Sequence, residues 1–135
     1  MNKKLDKILA EISAGELIDK ITILEIKKIK ISDAEKLKDI NKELDSLNQT
    51  FKQFIPDPSS IQQLIDKLKS INLKLWDIEN GKRQSEKDQN FGKEFIELAR
   101  SVYKSNDERA KIKRMINKSF GSELIEEKSY TQYSL

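Results

Sequence analysis

The chain contains no cysteine and no histidine. Disulfides, zinc sites, thiol nucleophiles and imidazole acid-base chemistry are therefore excluded together, and any chemistry must use carboxylates, amines, guanidinium groups or hydroxyls. Glycine (4) and proline (2) are scarce, which argues against sandwiches and barrels rich in turns. No segment approaches the ~20 consecutive apolar residues of a membrane-spanning helix. The amino-terminal MNKKLDKILAEIS places Asp6 and Glu11 where a secretory signal needs an uninterrupted apolar run. A cytoplasmic location is the expectation.

What is present suits amphipathic helices: 36% of the 135 residues are charged and 36% hydrophobic, and the apolar ones recur at regular spacing. The length fits one all-α domain, residues 1–135, with room for a real core. The segment from Ser13 to Ile31 is its natural centre, because apolar residues run almost all the way round it. Leu17, Ile18, Ile21, Leu24, Ile29 and Ile31 make one broad arc, Ile23 and Ile26 add patches opposite, and Glu25 falls inside the arc. Ser13 with Glu16 reads as a capping box, and Ser32 with Glu35 repeats it. Residues 2–12 fit either a helix or a short extended lead-in.

Two further helices are predicted over 33–54 and 60–80, joined by IPDPSS. Their apolar stripes, Leu37 to Phe54 and Ile61 to Ile78, share a 3-4-3-4-3 spacing like that of a coiled-coil seam. The expectation is an antiparallel hairpin, and such a seam is also compatible with a homodimer. Beyond Ile78 the sequence turns polar, so the helix should end or fray between Asn80 and Gln89. A basic helical region follows over 91–120, as one helix or as two with a bend where Ser105 and Glu108 offer another cap. Ala99 to Lys118 carries seven basic and two acidic residues, and the tail 121–135 opens with a glycine stop and an acidic run suited to folding back on it. The expected architecture is a bundle of four or five helices.

Several polar residues fall on apolar stripes. Asn72, Glu79, Arg83 and Glu86 continue the third helix's stripe, Arg109 lies on that of the basic region, and Glu25 joins them from the central helix. Isolated buried charges cost several kcal/mol, so opposite signs should meet, with at least one Glu–Arg contact between two helices. Structural ion pairs are the plainer explanation. The functional alternative is a partly open pocket for an anionic or zwitterionic ligand, with Arg100, Tyr103, Asp107, Arg114 and Asn117 on a neighbouring stripe. Nucleic acid is disfavoured, since only Tyr103 interleaves the basic residues and no recognised binding motif occurs. A magnesium-dependent phosphohydrolase would need Glu25, Glu79 and Glu86 to converge, but lacks paired acidic motifs on facing helices. Glu16 and Asp19 read as no more than a capping turn.

Four ordered motifs carry a resemblance: GELIDKITILEIK from Gly15 to Lys27, LWDIENGKR from Leu75 to Arg83, FIELARSVYKSNDERAKIKRMIN from Phe95 to Asn117, and EEKSY from Glu126 to Tyr130. Over Glu11 to Tyr130 the chain resembles a small bacterial helical family catalogued as a domain of unknown function. The resemblance marks, among others, Gly15, Glu16, Asp19, Lys20, Thr22, Glu25, Trp76, Glu79, Arg83, Arg100, Tyr103, Asn106, Asp107, Arg109, Lys113, Asn117, Glu127, Lys128 and Tyr130. It also implies company with glycosyltransferases or tetratricopeptide repeats, and so a link to surface-polysaccharide assembly.

The functional expectation is a non-catalytic binding or adaptor module holding an anionic small molecule or a protein partner. The site residues expected are Glu25, Glu79, Arg83, Arg100, Tyr103, Asp107, Arg109, Lys113 and Asn117, with no cofactor and no metal. The alternative is a small cytoplasmic enzyme acting on a phosphorylated or carboxylated metabolite. Glu25 or Glu79 would then be the acid-base group and Arg83, Arg100 and Arg109 the anion clamps.

Overall fold

A computed structural model describes residues 4–122 and 124–133, and every described element is helical. Four α-helices follow in order: α1 (Ala14–Lys30), α2 (Ala34–Phe54), α3 (Gln62–Lys87) and α4 (Lys93–Phe120), with a 3-10 turn at Ser59–Ile61 before α3. Residues 4–12 form neither helix nor strand, and their apolar side chains Leu5, Ile8 and Leu9 are exposed.

Local chemistry sets the helix limits. Ser13 caps α1, its hydroxyl accepting from Glu16 N at 3.1 Å. Asp33, not Ser32, caps α2 by accepting from the amides of Glu35 and Lys36. One Asp33 oxygen serves both amides, and with α2 starting at Ala34, Ser32 lies one residue outside the cap position. α3 continues through its polar stretch to Lys87, and α4 runs unbroken across Ser105 and Glu108. Ser105 is buried inside that helix and caps nothing. Gly121 then adopts the left-handed conformation, φ 62°, that stops α4.

α1 is the central element, packed against all three other helices. One core cluster joins Ile18 to Ile55, Ile61, Leu68, Ile71, Ile112 and Ile116, and a second joins Leu24 to Ile40 and Leu44. Residues early in α1 meet Phe51 late in α2, whereas Leu24 and Ile31 meet Ile40 and Leu44, so these two helices run antiparallel. α3 and α4 form the other antiparallel pair, with Leu98 over Gly81 and Ile112 near Leu68 and Ile71.

This pairing corrects the expected hairpin: α2 packs on α1, and α3 pairs with α4. Leu44 and Leu68 belong to different clusters. A stripe identifies the face a helix buries but not its partner, and α1, apolar nearly all round, separates the two matching seams. Phe54 at the end of one seam is left exposed, as is Ile29 of the α1 arc.

The tail returns along α4. Glu126 reaches Lys113 at 2.7 Å, Glu127 reaches Arg114 at 2.9 Å, and Tyr133 meets Tyr103 edge-on with ring centroids 5.2 Å apart. Both tail tyrosines are exposed, and Tyr133 is the one that packs edge-on against an α4 ring.

Candidate functional site: a buried ion network beneath an open cleft

The site begins with a glycine. Gly15 N donates to Asn117 Oδ1 at 2.6 Å, and a Cβ built on Gly15 would lie 2.5 Å from the Lys113 backbone oxygen. Only glycine permits that approach of α1 to α4. The close crossing brings the α1 carboxylates Glu16 and Asp19 against Lys113 and Arg109.

Asp19 is 1% exposed and is the hub. Its Oδ1 accepts from Arg109 Nε at 3.0 Å and from Asn72 Nδ2 at 2.8 Å, and its Oδ2 accepts from Arg109 Nη2. Asn72 Nδ2 also lies 2.9 Å from Thr22 Oγ1, whose hydroxyl donates to the Asp19 carbonyl. Lys113 Nζ is 2.8 Å from Glu16, 2.7 Å from Glu126 and 3.8 Å from Asp19. One connected network thus ties α1, α3, α4 and the tail, so the buried charges have partners, as burial demands.

The network also fixes protonation. The hydrogen bonds that Arg109 donates to Asp19 raise its pKa against partial burial. Burial pulls Lys113 down, but its bonds to Glu126 and Glu16, with the Asp19 charge, more than offset this and leave its pKa raised. The Lys113 bond in turn lowers Glu126. Both cations are held charged.

Above this network lies a cleft of about 440 Å³ between α1, α3 and α4, lined by Ile23, Ile26, Leu75, Trp76, Asn72, Glu79, Asn80, Arg83 and Arg109. That volume falls within the roughly 300–1,000 Å³ of small-molecule sites, and mostly apolar walls with a few polar groups are their usual lining. Arg109 spends Nε and Nη2 on Asp19, while its Nη1 has no hydrogen-bond partner among the described residues. Arg83 is exposed and has no ion pair among the described residues. Glu79 is held by Lys82 at 3.2 Å.

A protein-family model described as "Family of unknown function (DUF6165)" matches residues 8–134. The chain belongs to this family. No curated protein and no solved structure matches it.

In this DUF6165 chain the expected site residues fall in separate places. Glu79, Arg83 and Arg109 share the cleft. Glu25 faces another side, beside Asn48, Phe51 and Gln62, and pairs with Lys69 at 3.6 Å. Lys113 and Asn117 are buried at the α1–α4 crossing. Tyr103 and Asp107 line a groove between α4 and the tail, with Lys128 and Tyr133. Arg100 is exposed, as is Glu86. No three described carboxylates come together in a way that could hold a metal ion.

The expected Glu–Arg contact between helices is replaced by an Asp–Arg one, Asp19 to Arg109. Glu25 cannot supply it because it lies on a different side of α1. A signal for Asp19 was present: it precedes Ile23 by four residues and Ile26 by seven, which places it on the second apolar patch of α1. Its assignment with Glu16 to a capping turn does not account for that register.

Proposed function

We propose that this chain is a non-catalytic binding module whose cleft between α1, α3 and α4 takes an anionic small molecule. The observation that carries the reading is the state of Arg109. Its guanidinium is clamped on one edge by buried Asp19 and keeps Nη1 free beside a small-molecule-sized cleft. A clamped arginine has already lost its rotamer freedom, so an anion docking on the free edge gains a contact with little further ordering cost. Arg83, on the same cleft, supplies a positive charge with no carboxylate partner among the described residues.

A binding role fits better than the enzymatic alternative, which needs either Glu25 or Glu79 as a free acid-base group beside the arginines. Glu25 pairs with Lys69 away from the cleft, and Glu79 is engaged by Lys82. A bacterial setting and a link to surface-polysaccharide assembly belong to the same proposal and are drawn from the family resemblance alone, whereas the cytoplasmic location is the expectation from the charged amino-terminal stretch.

Calorimetric titration of the full chain with inorganic phosphate, pyrophosphate, citrate and ribose 5-phosphate tests the reading. Saturable binding of at least one anion is expected, weakened about tenfold by Arg83→Gln, a typical loss for a charge-assisted contact. The variant's melting temperature should stay within about 1 °C of wild type, since Arg83 is an exposed side chain. Equal binding by wild type and Arg83→Gln, or none to any anion, would refute it.

A further inference from the structure

The walls of the cleft carry information about the rest of its ligand. Trp76 is the only tryptophan in the chain, and it stands half-buried in this cleft beside Leu75, Ile23 and Ile26. An aromatic face with aliphatic neighbours suits a flat ring, whose burial there is favourable whatever its edge chemistry. The edges of the cleft are not apolar, however. Glu79 adds a carboxylate that accepts hydrogen bonds, and Asn80 adds an amide that both donates and accepts. Lys82 takes Glu79 Oε1, which leaves Oε2 as an acceptor, and Asn80 is exposed, so a ring with nitrogen donors and acceptors can bond to both where a hydrocarbon ring cannot.

The cationic side is also selective. Arg83 comes from α3 and Arg109 from α4, and the Nε–Nη2 fork of Arg109 is already spent on Asp19. A carboxylate can also accept from two arginines, but it brings only two oxygens and one negative charge to two cations. A phosphate, with three terminal oxygens and up to two negative charges, can accept from both arginines at once.

From these features together we infer that the cleft binds a nucleoside phosphate, with the base against Trp76 and its edge toward Glu79 and Asn80, and the phosphate on Arg83 and Arg109. This rests on the anion-binding reading of the same cleft and adds the ring. Because Trp76 is the only tryptophan, its fluorescence reports on this cleft alone.

Fluorescence titrations of the full chain with adenosine and uridine monophosphates, ribose 5-phosphate, the free nucleosides and benzoate test the inference. At least one nucleoside monophosphate should change Trp76 emission and bind about tenfold or more tightly than ribose 5-phosphate, the gain expected of base–aromatic stacking. In calorimetry, Trp76→Leu should bring its affinity down to that of ribose 5-phosphate, and Arg83→Gln should bring it toward that of the nucleoside. Trp76→Phe keeps an aromatic face and should retain most of the affinity, which separates loss of stacking from a general packing defect. Equal binding of ribose 5-phosphate and both monophosphates would overturn the inference and leave the anion site standing. Tighter binding of benzoate would overturn it in favour of an aromatic carboxylate. Binding of nucleosides as tight as that of their phosphates, or of no compound, would overturn both readings.

Discussion

Replacing Asp19 by Asn tests the claim that one buried carboxylate organises the interior. The change is nearly isosteric, so packing is kept and electrostatics altered. Asp19 accepts from Arg109 Nε, Arg109 Nη2 and Asn72 Nδ2. An amide keeps one acceptor for these three donors and turns its own NH2 against at least one of them. Lys113 would remain paired with Glu16 at 2.8 Å and Glu126 at 2.7 Å, so the stranded cation is Arg109. Breaking a buried pair by removing one partner costs about 3–5 kcal/mol. Arg109 keeps 28% of its side chain exposed and can turn toward the cleft, which puts the expectation at the low end, about 3 kcal/mol. For a domain of this size that is a melting-temperature drop on the order of 10 °C. Urea denaturation of Asp19→Asn, Arg109→Met and the double variant measures both the loss and the coupling, which should reach about 2 kcal/mol. A single-variant loss below about 1 kcal/mol, the range of surface pairs, would refute the hub.

Gly15→Ala should destabilise by about 1–3 kcal/mol, because its Cβ would meet backbone at 2.5 Å and the α1–α4 crossing would have to open. Gly81→Ala should be near-neutral in the same denaturation assay, since its Cβ would meet only the adaptable tips of Leu98, at 3.1 and 3.3 Å, and the helix gains propensity. Stability should have an acid limb through Glu126, whose pKa is lowered in the fold. Its contribution is present above the unfolded value of ~4.3 and lost as pH falls through the folded one. Lys113 is raised, so its contribution is present below ~10.4 and lost as pH rises through its folded value. Melting temperatures across pH should show both limbs, and Glu126→Gln should shrink the acid one. Truncation after Ser122 should cost only about 1 kcal/mol, because the Glu126 and Glu127 pairs are partly exposed while Ser122, which accepts from Ala14 N at 3.1 Å, is retained. A larger loss by urea titration would give the tail a structural role beyond these pairs.

Much of the helical fold was legible because its signals are local. Ser13 caps α1, Gly121 stops α4, and the periodic stripes locate the buried faces of α2 and α3. Partner choice was not, since Leu44 and Leu68 sit on stripes of identical spacing yet enter different clusters. The site divided in the same way. Glu79, Arg83 and Arg109 meet in one cleft because each continues an apolar stripe. Glu25 does not join them, since a stripe gives the angle of a residue on its own helix and not which neighbour covers it.

Asp19 marks the limit more sharply. With Glu16 it reads in the sequence as part of a capping turn, which would leave it solvated. Burial came instead from a glycine four residues earlier. Gly15 draws α4 close enough for Arg109 and Lys113 to reach the carboxylate, and that closeness exists only between helices distant in sequence. The same contact makes stability and binding separable. Arg109 serves the fold through Nε and Nη2 and also lines the cleft, so its removal would disturb both, whereas Arg83 lines the cleft without an ion pair among the described residues. If binding resides in this cleft, Arg83→Gln should weaken ligand without lowering stability, and Asp19→Asn should lower stability and also loosen the guanidinium on which the anion docks. A variant set in which affinity followed stability alone would make the cleft a by-product of packing.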